Sequence, residues 1–126
     1  MIVGIGTDIV MADRIGRSLE RYGERFAERV LSPAELLEYR QRKDSVKFVA
    51  KRFAAKEAVA KAFGTGIGKD LAFIDMNIMR KPSGEPEVQL TGDGAAFAEA
   101  NKISMIKISL THAEHYAAAN AVALTK

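Results

Sequence analysis

The chain has 126 residues, of which 48% are hydrophobic and 28% charged, with no cysteine and a formal net charge of +3. This composition predicts one soluble domain over residues 1–126 and excludes a disordered chain. The lack of cysteine excludes disulfides and thiolate sites, and it is typical of a cytoplasmic protein. Residues 1–10 are too short an apolar run for a signal peptide or a membrane span, and the small positive excess indicates an anionic partner.

The first third of the chain predicts one strand and two helices. The strand is an apolar run that ends at Thr7-Asp8, and Asp13 is a candidate cap for the helix that follows. Ser32 precedes Pro33 and lies three positions before Glu35, which is the pattern of a capping box. The predicted elements are a strand over 2–6 and helices over 13–30 and 34–42.

The rest of the chain predicts one long helix and then mostly strands. Ser45 is a candidate cap for the long helix, and Gly64 ends it. Residues 81–84 read as a turn between two strands. The predicted elements are helices over 45–63 and 94–101 and strands over 71–80, 87–90, 105–110 and 116–124. Helices come early and strands late, so we predict an α+β fold with an antiparallel sheet packed against helices.

The predicted helix over 13–30 carries a row of basic side chains. At 100° per residue its five arginines fall within a stripe roughly 120° wide, beside a second stripe of apolar residues. The row fits an ordinary solvated face as well as a docking surface, which would suit an acidic helix or the phosphates of a nucleic acid. The arginines are Arg14, Arg17, Arg21, Arg25 and Arg29.

The helix over 45–63 is apolar almost all round and contains Glu57 and Lys61 at i and i+4. One reading is a helix-supporting ion pair. The small apolar surroundings instead favour a partly buried carboxylate, for which a metal ion is one good partner. Asp8 follows an apolar strand, where aspartate is unfavourable unless it has a function or caps a turn.

A glycine-rich stretch, GTGIGK over 64–69, follows the long helix. Its backbone N–H groups could face a phosphate, but a helix C-cap and turn is the simpler interpretation. It is not a Walker loop, because it follows a helix and does not open one. His112 and His115 are candidate bases, although histidines in a hairpin turn are more often structural. No nucleophile with an attached base is apparent, which argues against covalent catalysis by the protein.

Four segments in order along the chain resemble one family. They are GIGTDIV over 4–10, FAERVLSPAELLEY over 26–39, RFAAKEAVAKAFGTGIG over 52–68 and ISLTHAEHYAAANAVAL over 108–124. Together they resemble the holo-acyl-carrier-protein synthases, the short type of phosphopantetheinyl transferase. The resemblance covers nearly the whole chain and implies a 4′-phosphopantetheinyl transferase-like fold.

The resemblance also implies roles for individual residues. Metal ligands for Mg²⁺ beside the coenzyme A diphosphate would be Asp8 and Glu57. Lys61 would lie near the transferred phosphate, which makes Asp8, Glu57 and Lys61 the expected catalytic set. Contacts to coenzyme A would come from Lys61, Gly64, Thr65, Gly66 and His112, and from Arg42 and Lys43 at the 3′-phosphate. Docking of the acyl carrier protein would use Arg14, Arg21 and Arg25, although Ser18 stands where an apolar contact is expected.

The implied reaction transfers 4′-phosphopantetheine from coenzyme A to a serine of an apo-acyl carrier protein and releases adenosine 3′,5′-bisphosphate. The base that takes the serine proton stays open, between a metal-bound water and one carboxylate acting through water. The family is usually a homotrimer with sites shared between subunits. Which carrier is used, of fatty-acid or polyketide synthesis, also stays open.

The main rival is a basic nucleic-acid-binding module that uses the arginine-rich helix over 13–30. Aromatic side chains are few and are not interleaved with the basic ones, which argues against such a module. It also gives no role to Asp8 and Glu57. A purely structural homo-oligomer is a third reading, and it gives no role to the glycine-rich stretch.

Overall fold

The computed structural model describes residues 1–125, and these form helices on one side of an antiparallel sheet. The helices are α1 (Ala12–Tyr22), α2 (Glu24–Val30), α3 (Pro33–Gln41), α4 (Ser45–Phe63) and α5 (Gly92–Ala100). The strands are β1 (Ile2–Met11), β2 (Met76–Arg80), β3 (Pro86–Leu90), β4 (Met105–His112) and β5 (Tyr116–Leu124). The predicted α+β class is confirmed. In the described part of the chain, no helix is long and apolar enough to cross a membrane.

The sheet that supports the long helix has the strand order β1-β5-β4, and all of its pairs are antiparallel. Strands β2 and β3 form a separate two-stranded hairpin. Helix α4 lies across the inner face of the larger sheet and buries 13 of its 19 residues. The inner positions of β5 are the buried alanines 117, 119, 121 and 123, which allow the helix to approach closely.

Two glycines in β1 make room for α4. A Cβ added at Gly4 would lie 2.0 Å from the carbonyl oxygen of Ala62, and one at Gly6 would lie 1.9 Å from that of Ala58. Neither distance is tolerable, so only glycine lets the strand and the helix lie this close together. Because side chains alternate along a strand, Asp8 points to the same inner face as Gly4 and Gly6.

The prediction of one helix over 13–30 is wrong. The chain turns at Gly23, whose φ of 62° and ψ of −145° lie outside the helical region. Glycine reaches this conformation without a side-chain clash, so it ends α1 and begins α2 in a new direction. The five arginines are therefore divided between two helices.

Two strand predictions also needed correction. Strand β1 runs on to Met11, because it stays paired with β5 as far as Tyr116, so Asp8 lies inside the strand and not at its end. Residues 71–75 are not strand, because the carboxylate of Asp75 accepts the N–H of Ala72 in a 3₁₀ turn over Phe73–Asp75. Strand β2 begins only after this turn.

Both helix boundaries that rested on strong local signals are confirmed. Ser32 and Glu35 form the predicted capping box at the start of α3. Helix α4 spans Ser45 to Phe63 and ends at Gly64, which adopts the left-handed conformation. Its N-cap is Asp44, however, and not Ser45.

A buried ionic cluster joins α3, α4 and β2. Glu35, only 3% exposed, accepts hydrogen bonds from Lys56 at 2.6 Å and from the N–H of Ile78 at 2.8 Å. Lys56 is fully buried and also donates to the carbonyl oxygen of Val30 at 2.7 Å. The guanidinium of Arg52 lies 3.5 Å from Glu35. Removing Glu35 would leave Lys56 and Arg52 charged and buried without a carboxylate partner, which is costly.

Candidate active site

The first site contact joins the inner face of β1 to the last two turns of α4. The ammonium group of Lys61 lies 3.1 Å from the carboxylate of Asp8 and donates a hydrogen bond of 2.9 Å to the backbone carbonyl of Thr7. The Asp8 side chain is 16% exposed and that of Lys61 is 51% exposed. The contact therefore sits at the surface edge of the helix–sheet interface, where a ligand can reach it.

Glu57 completes a group of three charged side chains. It is half-buried, and its pKa is raised first by burial and then by the negative charge of Asp8, while Lys61 and Arg14 act in the opposite direction. The two carboxylates thus lie near enough to repel each other. A cation placed between them would relieve that repulsion.

The donor set fits a magnesium ion. Mg²⁺ prefers oxygen ligands and is usually held by one or two carboxylates together with substrate phosphates and waters. Asp8 and Glu57 supply two carboxylates, and no group of three or more His, Cys, Asp or Glu side chains in residues 1–125 is arranged to hold a metal. Two carboxylates are as many protein ligands as a Mg²⁺ site beside a substrate phosphate usually has.

Glu57 and Lys61 do not form the helix-supporting i, i+4 ion pair that was the simpler reading of their spacing. The Lys61 ammonium bonds to β1, through Asp8 and the Thr7 carbonyl. The lysine therefore joins strand to helix and does not serve as a helix-surface ion pair.

The glycine-rich loop after α4 is mainly a helix cap. The N–H groups of Thr65 and Gly66 both donate to the carbonyl oxygen of Ala60, and that of Gly64 donates to Lys61. These groups are already satisfied, so they do not form a phosphate cradle. An added Cβ at Gly64 or Gly66 would meet nothing within 4 Å, so the loop leaves an open surface beside Lys61.

His112, Arg42 and Lys43 lie outside the Asp8–Glu57–Lys61 group. His112 is the last residue of β4, and β5 separates that strand from β1. Arg42 follows α3 and pairs with Asp44 at 2.7 Å and with Glu38 at 2.9 Å. These carboxylates hold the pKa of Arg42 above its ordinary value. Lys43 is exposed beside it.

The arginine row is exposed but is not one continuous stripe. Arg14 and Arg21 lie on α1, and Arg25 lies on α2 beyond the turn at Gly23. The guanidinium of Arg14 stacks over the ring of Phe53 at 5.5 Å, and its charge lowers the pKa of Glu57. Arg14 thus connects the basic surface to the three charged side chains of the site.

Sequence reasoning missed three supports of the site. The Thr7 carbonyl holds Lys61, which no side-chain pattern could reveal. The contact of Arg14 with Phe53 needed the crossing of α1 over α4. The cluster of Glu35, Lys56 and Arg52 was missed as well, although the capping box had singled out its carboxylate, Glu35.

Comparisons with known proteins identify the family and the fold. The model of the 4′-phosphopantetheinyl transferase superfamily matches residues 4–121. A holo-[acyl-carrier-protein] synthase from Halorhodospira halophila is 43% identical over 125 residues, covering 99% of each chain. The crystal structure of a holo-[acyl-carrier-protein] synthase from Neisseria meningitidis has a TM-score of 0.95 and 42% identity, covering 99% of this chain and 100% of that one. The Helicobacter pylori holo-[acyl-carrier-protein] synthase in complex with coenzyme A has a TM-score of 0.84 and 35% identity, covering 95% of this chain and 99% of that one.

Proposed function

The chain belongs to the 4′-phosphopantetheinyl transferase superfamily, and on this premise we propose which of its residues carry out the reaction. It is a phosphopantetheinyl transferase of the holo-[acyl-carrier-protein] synthase type. It transfers the 4′-phosphopantetheine arm of coenzyme A to a serine of an apo-acyl carrier protein, and adenosine 3′,5′-bisphosphate leaves. The cytoplasmic location and the single domain remain predictions from the sequence.

The convergence of Asp8, Glu57 and Lys61 carries the proposal. Asp8 and Glu57 hold Mg²⁺, since they supply two mutually repelling carboxylates at an accessible edge. When bound, the ion neutralises charge on the diphosphate of coenzyme A. Phosphoryl transfer requires mainly positioning and charge stabilisation, so this small group of side chains is sufficient.

Lys61 contributes positive charge to the transferred phosphate. Its ammonium is fixed by Asp8 and by the Thr7 carbonyl, so it is oriented before the substrate binds. A preorganised cation costs no reorganisation when negative charge develops on the phosphate oxygens. The serine hydroxyl attacks the phosphorus nearer the pantetheine, and the bond from that phosphorus to the oxygen of the leaving nucleotide breaks.

The remaining coenzyme A contacts come from the periphery. Gly64, Thr65 and Gly66 offer an open loop beside Lys61, against which the coenzyme lies. Arg42 and Lys43 bind the 3′-phosphate, and His112 binds near the nucleotide. Because β5 lies between His112 and Asp8 within one chain, a neighbouring copy supplies His112 to each site.

The outer face of the larger sheet supports a homotrimer. Ile5, Ile9, Met11 and Tyr116 are large apolar side chains on this outer sheet face, and each is between 45% and 64% exposed. A patch of this kind on a soluble protein usually marks an interface. We assign it to two further copies of the chain, which share each active site across a subunit boundary.

The acyl carrier protein docks on α1 and α2. Arg14, Arg21 and Arg25 are exposed there, and guanidinium groups suit the carboxylates of an acidic helix. The contact of Arg14 with Phe53 places the docking surface next to the catalytic group. The carrier serine would thus be brought toward the coenzyme diphosphate.

Intact mass spectrometry tests the function. The chain is incubated with coenzyme A, Mg²⁺ and an apo-acyl carrier protein, and the carrier should gain one phosphopantetheine. Asp8→Asn and Glu57→Gln should each slow the transfer by roughly 100- to 1,000-fold, the scale typical of a lost electrostatic contact in an active site. Asp13→Asn, an exposed aspartate on α1, is the control. Full activity in both site variants would contradict the proposed roles.

A further inference from the structure

The carboxylate of Asp8 already has a cationic partner within the protein itself. The ammonium of Lys61 lies 3.1 Å from Asp8 Oδ1, and it is anchored there by a hydrogen bond of 2.9 Å to the carbonyl oxygen of Thr7. Asp8 is mostly buried, with 16% of its side chain exposed. Because water and salt screen a partly buried charge less than an exposed one, the lysine acts strongly on any second cation that approaches Asp8.

The charged groups around this contact balance one another. Glu57 feels the negative charge of Asp8 and, in the opposite direction, the positive charges of Lys61 and Arg14. The guanidinium of Arg14 is held close by, over the ring of Phe53. Two carboxylates thus face two cations. A divalent ion that arrived alone would leave this half-buried group with an uncompensated positive charge, which is unfavourable away from bulk water.

A diphosphate changes this balance. An ammonium group has three N–H donors, and within residues 1–125 Lys61 uses two of them, on Asp8 and on the Thr7 carbonyl. The third donor is available to a phosphate oxygen, so the lysine need not leave β1 when a phosphate binds. The negative charge of the diphosphate compensates the charge of the ion, and the ammonium that repels the ion attracts the phosphate.

We propose that Lys61 weakens the binding of a free divalent ion at Asp8 and Glu57, so that the ion binds tightly only together with the diphosphate of coenzyme A. The inference rests on the proposed function, because it takes Asp8 and Glu57 as the metal ligands. Binding of the ion and binding of the coenzyme are then mutually dependent, and each raises the affinity for the other by the same factor. This role concerns binding before the reaction and is additional to the role of Lys61 at the transferred phosphate.

Binding of Mn²⁺ in the absence of coenzyme, measured by electron paramagnetic resonance, tests this role. The unaltered chain should bind Mn²⁺ alone weakly. Lys61→Met keeps a long side chain but removes its charge, and it should bind the ion roughly 10- to 100-fold more tightly, the scale typical of coupling between two sites. Lys61→Arg keeps the charge and should remain weak. Lys47→Met removes an exposed lysine of the same helix, and this control should also remain weak.

A second substitution shows where the ion binds. Asp8→Asn, added to Lys61→Met, should abolish the gain in Mn²⁺ binding. If the gain survives this substitution, the inference falls together with the metal ligands of the proposed function. If Lys61→Met binds Mn²⁺ no better than Lys47→Met does, the role of Lys61 is overturned. The metal ligands themselves would stand in that case, provided that Asp8→Asn alone still removes the ion that binds with coenzyme A.

The unaltered chain offers a measurement that needs no variant. Coenzyme A should raise the affinity of the protein for Mn²⁺ by about tenfold or more, after correction for the ion that the coenzyme binds by itself. Pantetheine, which lacks the diphosphate, should leave that affinity unchanged. Equal affinity for Mn²⁺ with and without coenzyme A would overturn the inference, even if Lys61→Met fails to fold.

Discussion

The ammonium of Lys61 lies 3.1 Å from the carboxylate of Asp8, across 53 residues of sequence. This contact forms because Gly4 and Gly6 let β1 lie against the backbone of α4. It places one end of the long helix, with Glu57 one turn earlier, beside the only aspartate of the first strand. The geometry of the reaction site therefore depends on a close approach of backbone to backbone.

Glu57→Gln should stabilise the metal-free protein at neutral pH. Burial and the charge of Asp8 raise the pKa of Glu57, so its ionised form is less favourable in the folded chain than in the unfolded one. The gain in stability from the substitution should be present at pH values above the raised pKa of Glu57. It should vanish as the pH falls below the ordinary value of 4.5, where glutamate is protonated in the folded and the unfolded chain alike. Thermal unfolding without divalent ions measures it, with Glu20→Gln on exposed α1 as the charge-matched control. A lower melting temperature at pH 7 would show that Glu57 makes contacts more favourable than this burial implies.

Gly6→Ala should damage both stability and transfer. The new Cβ would lie 1.9 Å from the carbonyl oxygen of Ala58, so β1 must move away from α4 and carry Asp8 with it. Overpacking of this kind typically costs about 1–3 kcal/mol. Chemical denaturation measures the loss. Gly68→Ala is the matched control, because nothing lies within 4 Å of a Cβ there. Equal stability of the two variants would mean that the strand and helix are less tightly packed than described.

The sequence predicted those parts of the fold that depend on local signals. The capping box at Ser32 and the glycine stop at Gly64 fix α3 and α4 through contacts between near neighbours. The ladder that extends β1 to Met11 pairs it with β5, more than 100 residues away, so no local pattern revealed it. The break at Gly23 was also missed, since a helical wheel treats glycine as any other position.

For the site, the sequence indicated which residues matter but not how they meet. Asp8, Glu57 and Lys61 were singled out by unfavourable placement and by motif. Their arrangement follows from packing, because Lys61 bonds to Asp8 and Thr7 and not to Glu57. The buried cluster around Lys56 escaped notice, since an isolated lysine in a helix gives no sign of its burial.

Arg21→Glu and Arg14→Glu should have different effects. Arg21 stacks on its neighbour Tyr22, so reversal of its charge should raise the KM for the carrier protein and spare coenzyme A binding. Arg14 lies over Phe53, and its charge lowers the pKa of Glu57. Reversal of the charge at Arg14 should therefore weaken the binding of the carrier protein and also the binding of coenzyme A. Steady-state kinetics with each substrate varied in turn separates the two. A rise in the KM for coenzyme A in Arg21→Glu would count against a docking role for that residue.

Asp44→Asn should destabilise the protein in a pH-dependent way. Arg42 lowers the pKa of Asp44 from 3.8 to about 2 through a side-chain hydrogen bond. A carboxylate with a lowered pKa stabilises the fold above its ordinary pKa, and that contribution is lost as the pH falls through the lowered value. The melting temperatures of the two proteins should therefore differ at pH 7 and converge near pH 2. A difference that stays constant with pH would show that ion pairing with Arg42 does not cause the effect.

Ile9→Glu should disrupt the proposed trimer. Ile9 is 63% exposed on the outer sheet face, where a buried charge would have no partner. Sedimentation velocity should show a trimer for the unaltered chain and a monomer, inactive in transfer, for the variant. Leu37→Glu on α3, at 62% exposure, is the matched control and should remain trimeric. A monomeric, fully active unaltered chain would contradict the shared site.

We propose that Asp8 and Glu57 jointly hold one divalent ion against the diphosphate of coenzyme A. Electron paramagnetic resonance with Mn²⁺, in place of Mg²⁺, measures this binding directly in the presence of coenzyme A. We expect one protein-bound ion per chain, beyond what the coenzyme binds by itself, and we expect its loss in Asp8→Asn and in Glu57→Gln. Retention of the full signal in both variants would contradict a shared role of the two carboxylates in holding the ion.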